Sequence, residues 1–405
     1  MMKVKLFWCL ISSINIGGEI QMEKSQKIEI LKNLIQIKSE NAHELKVAEY
    51  IHQTLDQYHI ENEILPFDND RANLVAEIGK GKNSKVLGFS GHMDTVMVPD
   101  PEKWEFDPFK GEIVNDRLYG RGSADMKSGL AAQLIALIEL VEENQIPEGK
   151  IRWLVTFGEE NGAPGAKILT DKGYSKDLSA LVISEPTSGN IVYAHSGFLN
   201  YQIESFGVAA HSSEPQKGNN AITNLVPFIN TEANLFKNIP EDPLLGLVPH
   251  SITTIQGGKQ INSIPNYAVL QGNIRPTSAF SNEKVIEVLK NEVEKINQLS
   301  NHNLKLTILS SFEPVTTDPH APFIQFLKEM TNKGFSTDKT QLVIMKGGTD
   351  ASLFVLENPK LPVAILGADK WDLAHQTNEY TTISSFENLI ETLKLTGKNY
   401  FSQFN

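Results

Sequence analysis

Short apolar runs alternate with polar segments through the first half of the chain. Residues 85–91, 151–157 and 180–184 are mostly apolar and have the length of buried strands. Between the first two runs, apolar residues recur at helical spacing, at Leu130, Leu134, Leu137, Ile138 and Val141. Strands that alternate with helices in this way predict an α/β fold.

The pattern changes in the middle of the chain. It predicts a strand, a helix, two strands, a helix and a last strand, at residues 199–208, 221–236, 250–256, 267–274, 283–299 and 304–309. This order is that of a ferredoxin-like α+β unit, which can fold around its own core. We therefore predict two domains, an α/β domain of residues 22–197 and 312–405 and an inserted domain of residues 198–311.

Histidine and acidic residues follow the apolar runs of the α/β part. His92 and Asp94 end the first run, the pair Glu159 and Glu160 follows the second, and Glu185 follows the third. In open α/β sheets ligands bind at the carboxyl ends of the strands, so these side chains are expected to converge.

The spacing of these residues suggests different roles. Residues two apart in a strand face the same side, so Asp94 can hydrogen-bond the His92 nitrogen that a metal does not use. Asp125 precedes the predicted helix, and a helix N-terminus favours the ionised carboxylate that a bridging ligand requires. Glu159 and Glu160 are adjacent and unlikely to share a task, so we assign Glu160 to the metal and Glu159 to proton transfer.

The charges are consistent with two divalent ions. Asp125, Glu160 and Glu185 would neutralise three of four positive charges, which leaves a site able to acidify water. Mixed imidazole and carboxylate ligands suit zinc best, with cobalt or manganese as alternatives.

Each residue alone has an ordinary explanation. A single histidine after a strand is more often structural, and two glutamates before Asn161-Gly162 are more often a solvated turn. The whole set, in one order and each at a strand end, favours the metal site.

Six short motifs together resemble the zinc aminoacylase and carboxypeptidase family, which includes acetylornithine deacetylase, succinyl-diaminopimelate desuccinylase and several di- and tripeptidases. They lie at residues 91–96, 120–127, 159–160, 184–186, 210–213 and 347–350. The resemblance covers the chain from about residue 23 to its end.

The resemblance implies the ligands of the two metal ions. It implies that His92, Asp125 and Glu185 hold one ion and that Asp125, Glu160 and His375 hold the other. It agrees with the roles assigned above to Asp94 and Glu159, whereas His375 rests mainly on the resemblance.

The resemblance also implies substrate contacts and a homodimer formed through the inserted domain, which serves as a lid. His211 would stabilise the oxyanion in the neighbouring subunit, the alternative being a solvent-facing turn histidine. Asn262, Arg275 and the backbone of Gly348 and Thr349 would bind substrate. Arg275 suits a substrate carboxylate, although an arginine at a strand end is as often a surface ion pair.

The resemblance implies that the reaction is removal of an N-acyl group from a small-molecule amino acid. Desuccinylation of N-succinyl-diaminopimelate in lysine biosynthesis is favoured, and deacetylation of acetylornithine or cleavage of dipeptides are alternatives. Residues 347–354 and 374–380 depart from the pattern of well-known desuccinylases, which leaves the acyl group open. A metal-dependent binding protein without turnover is the alternative outside enzymes, and the presence of Glu159 argues against it.

The net charge and the first residues of the chain indicate which partners and which cellular location to expect. A formal net charge of −12 disfavours nucleic acid and anionic membranes as partners. Residues 1–21 resemble a short leader without a cleavage pattern, and our hypothesis is that translation begins at Met22. The only cysteine, Cys9, would then be lost, so no disulfide or thiol nucleophile is expected and a cytoplasmic location follows.

Overall fold

The computed structural model describes residues 22–404, so the predicted leader and Cys9 lie outside the described residues. Within that range the helices are Lys24–Gln36 (α1), Leu45–Gln57 (α2), Ser128–Glu142 (α3), Pro164–Asp171 (α4), Ala221–Leu235 (α5), Asn282–Asn297 (α6), Pro322–Gly334 (α7), Ala351–Phe354 (α8) and Ile383–Gln403 (α9). The strands are Glu61–Pro66 (β1), Ala72–Gly79 (β2), Val86–His92 (β3), Glu112–Val114 (β4), Arg117–Tyr119 (β5), Lys150–Thr156 (β6), Ala180–Ile183 (β7), Ile191–His195 (β8), Phe198–Phe206 (β9), Ala210–His211 (β10), His250–Gly257 (β11), Ser263–Ile264 (β12), Tyr267–Ile274 (β13), Leu304–Phe312 (β14), Val315–Thr316 (β15), Leu342–Met345 (β16), Val363–Ile365 (β17) and Tyr380–Thr382 (β18).

The strands that lead to His92, Glu160 and Glu185 belong to a nine-stranded sheet. Its order is β1-β2-β6-β3-β7-β17-β8-β15, with β16 also paired to β8. The central strands β6, β3, β7 and β17 run parallel to one another. Their carboxyl ends therefore lie at one edge, which brings together the segments that follow β3, β6 and β7.

Helices cover both faces of this sheet. Strand residues alternate between the two faces, so Phe89 and Trp153 pack with α1, α3 and α9, while Leu154 and Leu181 pack with α4 and α8. Both groups of apolar side chains are almost fully buried. The result is a three-layer α/β arrangement, as predicted for strands that read as continuous apolar runs.

The middle of the chain forms a separate four-stranded sheet of order β11-β13-β9-β14, in which every neighbouring pair is antiparallel. Helices α5 and α6 pack on it around their own apolar cluster, which includes Tyr201, Phe228 and Leu289. The predicted order of elements and the ferredoxin-like fold are confirmed. The domain boundaries drawn at residues 197 and 311 stay a prediction.

Among residues 22–404, no helix is both long enough and apolar enough to cross a lipid bilayer.

Candidate metal centre

Asp125 lies between two histidines at the carboxyl edge of the large sheet. Its Oδ1 is 3.1 Å from His92 Nε2, and its Oδ2 is 3.3 Å from His375 Nε2. Asp125 has an extended backbone in the turn that leads into α3, so it precedes this helix as the sequence pattern indicated. The two oxygens of one carboxylate thus face two separate imidazoles.

Each histidine also meets a glutamate. His92 Nε2 is 3.5 Å from Glu185 Oε1, and His375 Nε2 is 2.9 Å from Glu160 Oε1. Ligand atoms of His92, Asp125 and Glu160 all lie within 4.8 Å of one another. The structure therefore brings together all five residues predicted as ligands, in two sets that share Asp125.

Asp94 holds the turn that carries the paired glutamates. Its Oδ1 and Oδ2 accept the backbone N–H groups of Glu159 and Glu160, each at 3.1 Å. His92 Nδ1 lies 2.9 Å from the backbone carbonyl oxygen of Asp94 and 3.5 Å from its carboxylate. The imidazole nitrogen thus faces the carbonyl oxygen and, at a longer distance, the predicted Asp94 carboxylate, which also accepts two backbone amides.

The electrostatics of the cluster fit divalent cations. Burial and the negative charges of neighbouring carboxylates raise the pKa of Glu159 and of Glu185 well above their usual values. Burial also opposes ionisation of Asp125, yet hydrogen bonds from His375 and His92 lower its pKa. Glu185 Oε2 is buried and has no hydrogen-bond partner among the described residues. Crowded carboxylates with an unpaired buried oxygen are the donor set that a cation would neutralise.

The predicted substrate contacts fall into two groups. His211 and Asn262 lie together beside the four-stranded sheet, where Ser212 N donates to Asn262 O at 3.1 Å. Within residues 22–404, no hydrogen bond or ion pair joins His211 to the cluster around Asp125, and its Nδ1 lies 2.7 Å from Ser213 Oγ.

Arg275 and the segment Gly348-Thr349 form the second group. The Arg275 guanidinium lies over the Phe198 ring at 5.5 Å, and the same ring would contact a Cβ added at Gly348. Among the described residues Arg275 has no carboxylate partner, so the alternative of a surface ion pair is not seen within this chain. Its burial lowers its pKa.

The sequence did not identify the residues that contact Thr349 and the neighbouring Asp350. The hydroxyl of Thr349 is buried and lies 3.3 Å from His195 Nε2. The neighbouring Asp350 accepts a hydrogen bond from Thr156 Oγ1 at 2.6 Å. A histidine just after an apolar run was the available signal for His195, whereas the pairing of Asp350 with Thr156 joins residues too distant in sequence to be predicted.

Paired histidine and carboxylate side chains at the carboxyl edge of an α/β sheet are typical of a metal-dependent hydrolase. Residues 88–399 match the family described as Peptidase family M20/M25/M40. The chain belongs to this family and is a metal-dependent amide hydrolase, which confirms the predicted resemblance and class of enzyme.

Relatives cover most of the chain. A "probable succinyl-diaminopimelate desuccinylase" of Staphylococcus aureus (strain MRSA252) is 37% identical over an alignment of 406 positions, gaps included. The alignment covers 94% of this chain and 98% of the relative. A succinyl-diaminopimelate desuccinylase of Ehrlichia chaffeensis is 29% identical, and the alignment covers 87% of this chain and 92% of the relative.

Solved structures share the fold. An M20 family metallo-carboxypeptidase from Sulfolobus solfataricus superposes with a TM-score of 0.78 at 20% identity, over 94% of this chain and 100% of that one. A dinuclear metal-binding M20 peptidase from Bacillus subtilis gives a TM-score of 0.69 at 16% identity, over 94% and 99% of the two chains. The predicted fold class is confirmed by these similarities.

Proposed function

We propose that the chain hydrolyses the amide bond of an N-acyl amino acid, with N-succinyl-diaminopimelate as the favoured substrate and succinate and diaminopimelate as products. The observation that carries the proposal is the position of Asp125 between two histidine and glutamate sets, with Glu159 beside them. The desuccinylase names of the relatives support the choice of acyl group.

The proposed ligand sets follow from the contacts of His92 and His375 with the neighbouring carboxylates. His92, Asp125 and Glu185 would hold one ion, and Asp125, Glu160 and His375 the other. Zinc suits this mixture of imidazole and carboxylate best, with cobalt or manganese as substitutes. When bound, the two cations would polarise the substrate carbonyl and lower the pKa of water.

Glu159 is the proposed general base. Its side chain is half-buried and lies on the turn that Asp94 holds through two backbone amides. It accepts a proton from the attacking water and delivers that proton to the leaving nitrogen. Asp94 acts through this turn and through the His92 imidazole, so it positions groups rather than transferring protons.

The proposed substrate contacts come from both sheets. Arg275 grips a substrate carboxylate through its fork of donors, since no protein carboxylate among the described residues occupies it. The backbone of Gly348 and Thr349 and the amide of Asn262 complete the contacts. His211 donates a hydrogen bond to the oxyanion in the neighbouring subunit.

A homodimer through the unit of residues 198–311 is part of this proposal. Strand β11 is an edge of the four-stranded sheet in the described chain, and Ile255 on it is 52% exposed. Helix α5 packs on the same sheet and exposes Ile222 and Val226 at 37% and 42%. An open edge strand beside exposed apolar side chains favours pairing with a second copy.

Rates of amine release test the function. We expect the zinc-loaded enzyme to cleave N-succinyl-diaminopimelate faster than N-acetylornithine or dipeptides. Glu159→Gln should lower kcat by about a hundredfold or more, because general acid-base catalysis is lost, and should still bind metal. Glu357→Gln, an exposed glutamate, is the matched control. Turnover of the Glu159→Gln variant at the unaltered rate, or no amine release from any of these substrates by the metal-loaded enzyme, contradicts the proposal.

A further inference from the structure

A buried ion pair lies behind the turn that carries Asp125. Arg121 Nη1 is 2.6 Å from Glu379 Oε2, and both side chains are 1% exposed. The same Oε2 accepts the Gly122 N–H at 3.1 Å. The other oxygen, Oε1, accepts the N–H groups of Ala124 at 2.8 Å and Asp125 at 3.1 Å. One carboxylate therefore binds three backbone amides of the segment that leads into Asp125.

Arg121 makes the reciprocal contacts. Its guanidinium donates to the carbonyl oxygens of Gln376 at 3.3 Å and His375 at 3.4 Å. Gly120 N donates to the carbonyl oxygen of Glu379 at 2.9 Å. Each of the two segments thus supplies a charged side chain that binds the backbone of the other, although they lie more than 250 residues apart.

These contacts constrain two of the proposed ligands. His375 has a left-handed backbone with a φ of 63°, a conformation that non-glycine residues rarely adopt without support. Asp125 has a non-helical backbone just before α3. Both residues therefore depend on surrounding contacts for their conformation, and the Arg121–Glu379 pair contacts the backbone of each.

Stability alone does not explain this ion pair. Removing two charges from water costs much of what their attraction returns, so a buried pair is weak evidence for a stabilising role. Among the described residues, the Glu379 carboxylate forms no hydrogen bond or ion pair with the side chains of the metal cluster, so it does not take the place of a ligand. Its partners are the backbone on either side of the ligands.

We infer that Arg121 and Glu379 form a positioning clasp that sets the separation of Asp125 and His375 and thereby the affinity of the cation these two residues share. The inference rests on the proposed ligand sets. Metal–ligand distances tolerate errors of only about 0.2 Å, so a small shift between the two segments weakens that ion first.

Metal titration tests the clasp. The full-length protein is used in the oligomeric state in which it is purified, after a chelator has removed any bound metal. Zn²⁺ binding is followed by calorimetry, and Co²⁺ binding by the visible absorption that reports ligand geometry. We expect Glu379→Gln to bind the ion held by Asp125, Glu160 and His375 about 10- to 100-fold less tightly and to change the spectrum of cobalt at that position. The ion held by His92, Asp125 and Glu185 should lose less affinity, since of its three ligands only Asp125 contacts the clasp.

Glu139→Gln is the matched control. Glu139 is also a glutamate with 1% side-chain exposure, and it pairs with Lys27 at 2.7 Å and Lys394 at 3.3 Å, away from the cluster. We expect both glutamate variants to lower the melting temperature and only Glu379→Gln to alter metal binding. An equal loss of metal affinity in both variants would show a general loss of stability and overturn the inference.

A second variant keeps the test decisive if Glu379→Gln does not fold. Arg121→Lys retains the charge, but one ammonium group cannot span Glu379 and both carbonyl oxygens, so the ion held by Asp125, Glu160 and His375 should again bind less tightly. Unchanged affinity for both ions in a folded clasp variant overturns the inference. If the unaltered protein binds no Zn²⁺ or Co²⁺, the proposed ligand sets fail first, and that result is distinct from failure of the clasp alone.

Discussion

The buried His195 provides a quantitative test of the structure. It ends strand β8 with 1% exposure, and its Nδ1 lies 3.0 Å from the carbonyl oxygen of Ser196. A carbonyl only accepts, so Nδ1 carries the proton and Nε2 accepts from the Thr349 hydroxyl. Burial lowers the pKa of His195 to about 4. The ring is therefore neutral in the folded protein across the physiological range.

The difference between the pKa of His195 in the folded protein and its ordinary value sets the size and the direction of the change in stability with pH. Above pH 6.5, the ordinary histidine value, the ring is neutral in both states and stability does not depend on it. As the pH falls below 6.5 the unfolded chain takes up the proton first, so the folded state loses stability until the pH reaches about 4. At roughly 1.4 kcal/mol for each pH unit, the loss is about 3 kcal/mol.

Urea unfolding of the chelated protein, from about pH 7 to about pH 4, measures this effect. His195→Gln cannot take up the proton, so its deficit in unfolding free energy relative to the unaltered protein should shrink by up to about 3 kcal/mol as the pH falls. His320→Gln, at an exposed histidine, should leave the pH dependence of stability unchanged. A deficit that stays constant with pH for His195→Gln would refute the assignment of a buried neutral ring.

Three further changes probe the site and the packing around it. Arg275→Ala should raise KM roughly tenfold or more with little change in kcat, as measured by steady-state kinetics, because a charged hydrogen bond to substrate is lost. Gly129→Ala places a methyl group against the Ser184 carbonyl oxygen. It should therefore lower the unfolding free energy by about 1–3 kcal/mol, whereas the same change in an exposed helix stabilises it; thermal melts distinguish the two. Hydrogen bonds to Asp125 and Glu160 raise the pKa of His375 to about 10, so metal binding at neutral pH should release about one proton from this residue. Calorimetry in buffers of different ionisation enthalpy measures that proton, and His375→Ala should not release it.

Local patterns predicted the strands that carry the candidate site. The run at residues 85–91 corresponds to Val86–His92, and the run at 180–184 to Ala180–Ile183. Because the central strands are parallel, the residues after them meet at one edge, which is why His92, Glu160 and Glu185 could be predicted as neighbours before any contact was known.

Contacts between distant segments could not be predicted in the same way. Strand β17 inserts between β7 and β8, although it follows them by more than 160 residues. Arg121 lies in the motif at residues 120–127 and Glu379 in the segment 374–380, but only the folded chain shows that each binds the backbone beside the other. The left-handed backbone of His375 likewise depends on tertiary contacts, which no local pattern encodes.

The insertion of β17 between two earlier strands has a consequence for synthesis of the enzyme. A nascent chain can pair β3, β6 and β7 as they emerge, but it lacks the strand that joins β7 to β8 and the histidine that follows it. While those residues remain in the ribosomal exit tunnel, the proposed second cation would lack one of its ligands. We therefore expect hydrolytic activity to begin only after translation of the chain is nearly finished.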